Sequence, residues 1–211
     1  MLAIAGGKGG SGKTTTALGV AGALAQRRRR PLVVDCDLDA PNLHLRAGVD
    51  RDPGVDAPDP EAAGRKAAAL PGVDVLPAGD ADGDDLAAAL AALPADRPVL
   101  LDCPAGASEA AARPLRVADA TVLVTTLGHE SVEDAVKTAA MARAVGTAPC
   151  VAAVSREPSV TDGLRAALGV SECVAVPDVP APLTADAATA AYARLADAAG
   201  ADSFAGGEAQ T

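Results

Sequence analysis

The sequence predicts a doubly wound α/β domain: a mostly parallel β-sheet with helices on both faces, in three layers. Three observations lead there. Short β-branched runs alternate with alanine-rich stretches of helical character, the order that builds parallel sheets through helical crossovers. The strand candidates are continuously apolar rather than alternating, as strands covered on both faces are. The first of them runs through a glycine-rich loop into a helix candidate, and ligands of such sheets sit at the strands' carboxyl ends.

In chain order, strands are expected at 2–5, 32–35, 73–76, 99–102, 121–125, 150–154 and 173–176. Helices are expected between them, over 13–27, 84–93, 108–117, 131–145, 160–168 and 184–199. The basic run Arg27–Arg30 closes the first helix, where cations complement the helix dipole before Pro31 opens the next strand. One stretch breaks the rhythm: RDPGVDAPDPEAAG, residues 51–64, is rich in Pro, Gly and Asp and reads as an exposed loop. Residues 1–199 are expected to form one domain, and GADSFAGGEAQT, residues 200–211, a disordered tail.

Hydrophobic residues make up 49% of the 211, yet aromatics only 1%, so the core must be Ala, Val and Leu. The four cysteines, Cys36, Cys103, Cys150 and Cys173, form no CxxC pair, which argues against a zinc site and a disulfide framework. The opening MLAIAGG is strand-like, with no basic region or long apolar run, and the expectation is a soluble, cytoplasmic protein. The net charge of −10 repels DNA and anionic membranes at long range, so neither is an expected partner. Abundant Asp and scarce Lys resemble the composition of salt-loving organisms. Lysine occurs only at 8, 13, 66 and 137, so two of four lie in the opening loop, where an ammonium is needed specifically.

That loop, Gly7-Lys8-Gly9-Gly10-Ser11-Gly12-Lys13-Thr14, fits G-x-x-x-x-G-K-[ST] between a strand and a helix, the context that gives the pattern meaning. Glycines let backbone N–H groups curl round phosphate oxygens, and the helix N-terminus adds its positive end. Lys13 is expected to reach the β- and γ-phosphates and the Thr14 hydroxyl to ligate Mg²⁺; ATP and Mg²⁺ are the expected cofactors.

From Lys8 to Thr15 the loop also reads KGGxGKT[ST], which resembles the deviant Walker A motif of the ParA/MinD family of P-loop ATPases. The resemblance implies that Lys8 crosses a dimer interface to the phosphates held by a second chain. VVDCDLDAPNLHL, residues 33–45, resembles that family's switch I. There the resemblance implies that Asp37 orients the attacking water, that Asp35 helps hold the magnesium shell and that Asn42 shares the switch. VLLDCPAGAS, residues 99–108, resembles switch II, with Asp102 as the carboxylate that holds magnesium through water. ADATVLVTTLGHES, residues 118–131, resembles the family's next strand and loop. VAAVSREPS, residues 151–159, falls where the family reads adenine with an Asn-Arg pair; this chain has Ser155-Arg156. VPDVPAP, residues 176–182, resembles the segment that lies against the adenine and places Pro177 there.

What the resemblance implies is a Mg²⁺-dependent ATPase that forms a homodimer around ATP and signals to a partner protein. The tail has neither an apolar nor a basic face, which disfavours a membrane helix. Two other readings stand beside it: a non-hydrolysing nucleotide-binding regulator, and a small-molecule ligase of the dethiobiotin-synthetase type. Cys36 and Cys103 flank the acidic residues and are expected to be buried structural thiols. His44 and His129 are isolated and expected in surface or capping roles.

Overall fold

Eight strands and seven helices follow one another along residues 1–201, which the computed structural model describes. The tail expected at 200–211 lies, from 202 on, outside the described residues. In order they are β1 (Leu2–Gly6), α1 (Lys13–Gln26), β2 (Leu32–Asp35), α2 (Leu43–Ala47), β3 (Arg65–Lys66), β4 (Asp74–Leu76), α3 (Gly83–Ala92), β5 (Val99–Ala105), α4 (Glu109–Val117), β6 (Ala120–Thr125), α5 (His129–Ala144), β7 (Pro149–Ser155), α6 (Asp162–Leu168), β8 (Glu172–Val176) and α7 (Asp186–Ala198). The strands form one sheet in the order β3-β4-β2-β5-β1-β6-β7-β8. Every pairing is parallel except β3 with β4.

That order places the loop after β1 at the sheet's centre. From β1 the chain runs out to β2, β4 and the β3 edge, returns through β5 beside β1, then leaves for β6, β7 and β8 on the other side. The crevice where the winding reverses opens at the strands' carboxyl ends. In register, Asp35 of β2 pairs with Asp102 of β5, and Ile4 of β1 also pairs with Asp102. Two carboxylates from different strands therefore meet beside the end of β1.

Both faces of the sheet are covered, which is why its strands read as unbroken apolar runs. Leu2 and Ile4 pack with Leu18, Val20 and Leu24 of α1 and with Tyr192 and Leu195 of α7. Ala3 and Ala5 turn the other way, toward Leu86 and Leu90 of α3 and Leu115 of α4. Leu123, Ala152 and Val154 complete that face against α5 and α6.

Two elements lie outside the expected list. Helix α2 is only five residues, too short for a periodic signal, and β3 is a two-residue antiparallel edge. The stretch 51–64 also departs from an exposed loop. Gly54, Val55 and Ala63 are buried, and Val55 N–H donates to the Pro77 carbonyl at 2.9 Å. Arg51 closes the lobe, donating to the Gly79 carbonyl at 2.6 Å and pairing with Asp80 at 2.8 Å. Val55 and Ala63, with Ala57 packed against them, are enough to anchor this polar stretch to the core cluster that includes α3.

Candidate functional site

The glycines of the loop serve three different ends. Gly10 and Gly12 hold left-handed backbone, φ 76° and 101°, which residues with a Cβ rarely adopt. A Cβ on Gly9 would meet nothing within 4 Å, so its bareness leaves space above the loop. Gly7 is different: a Cβ there would lie 2.2 Å from Asp134 Cβ and 2.4 Å from the Asp134 carbonyl carbon. Its missing side chain admits α5, not a ligand.

Lys13 opens α1 and is buried, with Nζ reaching back to the Lys8 carbonyl at 3.4 Å. Burial lowers its pKa, while Asp102 and Asp37 pull the other way. The Thr14 hydroxyl donates to Asn42 Oδ1 at 2.9 Å, tying α1 to the start of α2. Asp102 is buried at 2% exposure, and its Oδ1 has no hydrogen-bond partner among the described residues. Burial pushes its pKa to about 7, with the Thr14 hydroxyl opposing. A buried carboxylate oxygen left bare beside a threonine hydroxyl suits a hard cation. No cluster of three or more His, Cys, Asp or Glu suited to a metal occurs among the described residues. Such a cation would therefore draw most of its ligands from bound phosphate and water.

Asp35 and Asp37, two apart in sequence, have different surroundings. Asp35 is buried; its Oδ1 accepts the Asp37 N–H at 3.2 Å and its Oδ2 the Leu43 N–H at 3.1 Å. It thereby staples both ends of the 36–43 loop, and burial pushes its pKa to about 6. Asp37 lies on the wall of the main cavity, with Oδ1 accepting the Ala40 N–H at 3.2 Å.

That cavity holds about 780 Å³, a size suited to a nucleotide-sized ligand. Residues 9–16 of the loop and α1 form one wall, Thr15 among them, and Asp37 and Asp102 line the cavity as well. Ser155, Arg156 and Pro177 line it too. Arg156 is exposed in a left-handed turn, φ 62°, at the end of β7. Lys8 does not line this cavity. It is exposed, with Nζ 2.6 Å from Glu130 Oε2 at the start of α5, and this ion pair raises its pKa. A smaller neighbouring cavity of about 330 Å³ lies there, bordered by Lys8, Glu130 and Arg156.

Cys36 and Cys103 are buried, and burial pushes both thiols up, away from the reactive thiolate. His129 is exposed, 3.7 Å from Glu133, while His44 sits on α2. Sequence reasoning passed over Glu130, which holds Lys8, and Asp134, which Gly7 accommodates. It also passed over Thr16 and Tyr192 on the cavity wall; the chain's one tyrosine, in an otherwise aromatic-poor helix, was the available signal.

Fold and site together define a P-loop nucleotide-binding protein. The chain belongs to the CobQ/CobB/MinD/ParA nucleotide binding domain family, which it matches over residues 2–181. It is 31% identical over 198 residues to an uncharacterized ATP-binding protein of Methanocaldococcus jannaschii, covering 85% of this chain and 73% of that one. Among solved structures it resembles the cell division ATPase MinD of Pyrococcus furiosus, with a TM-score of 0.75 at 26% identity, over 93% of this chain and 96% of that chain. It also resembles the septum site-determining protein MinD of Pyrococcus horikoshii complexed with Mg-ADP, with a TM-score of 0.80 at 24% identity, over 100% and 98%.

Proposed function

We propose that this chain is a Mg²⁺-dependent ATPase that dimerises around ATP and passes that state to a partner protein in the cytoplasm. Lys13 would hold the β- and γ-phosphates, with the loop amides and the α1 N-terminus. Thr14 and Asp102 would hold the magnesium, Asp102 through its unpartnered oxygen, and Asp35 would stand behind them as the staple of the switch loop. Asp37, on the cavity wall, would align the attacking water. Positioning and charge then carry the chemistry, as phosphoryl transfer allows. The ATPase relative from Pyrococcus furiosus supports this reading.

One observation carries the dimer: Lys8 is exposed and lies off its own cavity. A lysine set in the phosphate loop but aimed outward serves phosphate best in another chain. Its pair with Glu130 is an exposed surface one, of a kind that stabilises little, so a partner's phosphates outcompete it. The recipient surface is α2, where Leu45 is 72% exposed two residues from the Asn42–Leu43 anchor that Thr14 and Asp35 hold.

The test is sedimentation with ATP turnover across protein concentration. Wild-type specific activity should rise as dimers form. Lys13→Ala should weaken ATP binding about ten- to hundredfold, the value of a charge-assisted bond. Lys8→Ala should bind ATP as a monomer and neither dimerise nor turn over. Asp37→Ala should bind ATP and accumulate as the dimer. Flat specific activity together with a fully active Lys8→Ala monomer would overturn the bridging role.

A further inference from the structure

Between α2 and the β3 edge of the sheet lies a cavity of about 570 Å³. It is bordered by His44 and Leu45 of α2, by Gly48 and Asp50 beyond that helix, and by Arg65 and Lys66, the two residues of β3. Gly48 ends α2 in a left-handed turn, φ 69°, and the Ala68 N–H donates to the Ala47 carbonyl at 2.8 Å. Helix and edge strand are thereby tied to each other, so the fold itself sets the walls.

The walls have the chemistry of an anion site. Acids outnumber bases 28 to 18 in the chain, yet here Arg65 and Lys66 face one carboxylate, Asp50. Arg65 has no ion pair among the described residues; it donates to the Asp52 carbonyl at 3.3 Å. Lys66 Nζ is 4.0 Å from Asp74, which Arg97 already holds at 2.7 Å, and its side chain is 87% exposed. Arg65 Nε and His44 Nδ1, one from each wall, are shielded from water and have no hydrogen-bond partner among the described residues. Buried polar nitrogens normally find one. A guanidinium grips a carboxylate through two parallel N–H groups, and the side-chain rotation that brings Nε to a ligand is ordinary on docking.

We infer that this cavity docks an acidic segment of a partner protein, with carboxylates on Arg65 and Lys66 and an apolar neighbour on Leu45. The inference rests on the partner reading above and gives that partner a chemistry. The cavity is far wider than a single carboxylate or phosphate, and Leu45 at its rim is 72% exposed, offering an apolar contact that a free anion cannot use. A second copy of this chain brings its whole net charge of −10 against a like charge; a short segment brings only its own carboxylates. The place also suits a signal, since Thr14 and Asp35 of the nucleotide site hold Asn42 and Leu43 at the start of α2.

Fluorescence anisotropy on the full chain tests this with a labelled peptide of aspartate, glutamate and one leucine. A control peptide carries lysine at every acidic position. The acidic peptide should bind, and lose affinity as KCl is added; the basic one should not bind. Arg65→Gln with Lys66→Gln should weaken binding at least about tenfold, the value of a charge-assisted bond, while ATP affinity and melting temperature stay near wild type. Inorganic phosphate at the peptide's concentration should not displace it; displacement shows a small-anion site and overturns the inference. Equal affinity for the two peptides, or a double variant that binds as wild type does, overturns it as well. So does self-association in place of peptide binding, if the double variant abolishes it. Repeating the titration with ATP and Mg²⁺ separates the two readings: a peptide affinity that nucleotide leaves unchanged keeps the docking site and removes nucleotide signalling through it.

Discussion

Asp35 and Asp102 are acids held where an acid is uncomfortable. Burial raises their pKa values from 3.8 to about 6 and about 7, so the ligand-free native chain binds more protons than the unfolded chain between about pH 4 and 7. Stability therefore falls as pH rises through that window and levels off above it. Asp82, Glu109 and Glu130 are shifted downward by their partners, and their contribution is lost only as pH drops below about 4. The two sets act in separate windows. Urea denaturation of the nucleotide-free protein should thus show stability declining from pH 5 to 7, by about 2–4 kcal/mol at most. Asp102→Asn should flatten the slope. A wild-type curve that climbs over this range would show the two carboxylates to be better solvated than their burial indicates. The same acids explain a limit of sequence reading: the pattern at 33–45 marks Asp35 and Asp37 alike, and only the fold makes one a staple and the other a cavity wall.

At the scale of elements, the loop between β1 and α1 couples packing to binding, and its glycines separate the two. Gly7→Ala forces a Cβ into the Asp134 backbone. Overpacking of this kind costs about 1–3 kcal/mol, and α5 must shift to relieve it, carrying Glu130 and its hold on Lys8 with it. Gly9→Ala meets only open space. It should melt like wild type, so any loss of nucleotide affinity in it reports crowding of the ligand alone. Thermal melts beside ATP titrations of both variants check this; equal melting temperatures would show that α5 yields freely. The sheet, its order of strands and helices, and the loop itself were legible because continuous apolar runs and a glycine-rich turn are local signals. Helix α2 was not: five residues stabilised by an aspartate eight positions back carry no period. Nor was the pairing of Lys8 with Glu130, 122 residues away, since nothing in a helix start announces what lies across from it. The buried face of 51–64 escaped for a similar reason, resting on Val55 and Ala63 spaced irregularly amid Pro and Asp.

For the whole molecule the dominant fact is charge: −10 over 211 residues, distributed unevenly by the fold. Asp52, Asp56, Asp59 and Glu61 are exposed on the 51–64 lobe, and Asp80, Asp82, Asp84 and Asp85 are exposed at the start of α3. Val55 N–H bonded to the Pro77 carbonyl, and Gly54 packed against Gly79, bring these two acidic stretches onto one flank. Arg51, paired with Asp80, offsets part of that charge. Part of the crowding also serves structure, since Asp82 caps α3 with its side chain on the Asp84 and Asp85 N–H groups. The remainder repels. In molar salt the screening length shrinks to roughly 3 Å, and self-repulsion of the compact state fades. The melting temperature, followed by circular dichroism, should therefore rise from dilute to molar KCl. Replacing Asp56, Asp59 and Asp84 by Asn should raise the low-salt melting point and shrink the salt response, leaving the Asp82 cap untouched. Should the melting point stay flat with salt, or the triple variant respond as wild type does, the acidic flank is adequately hydrated in dilute solution and the adaptation to brine is excluded.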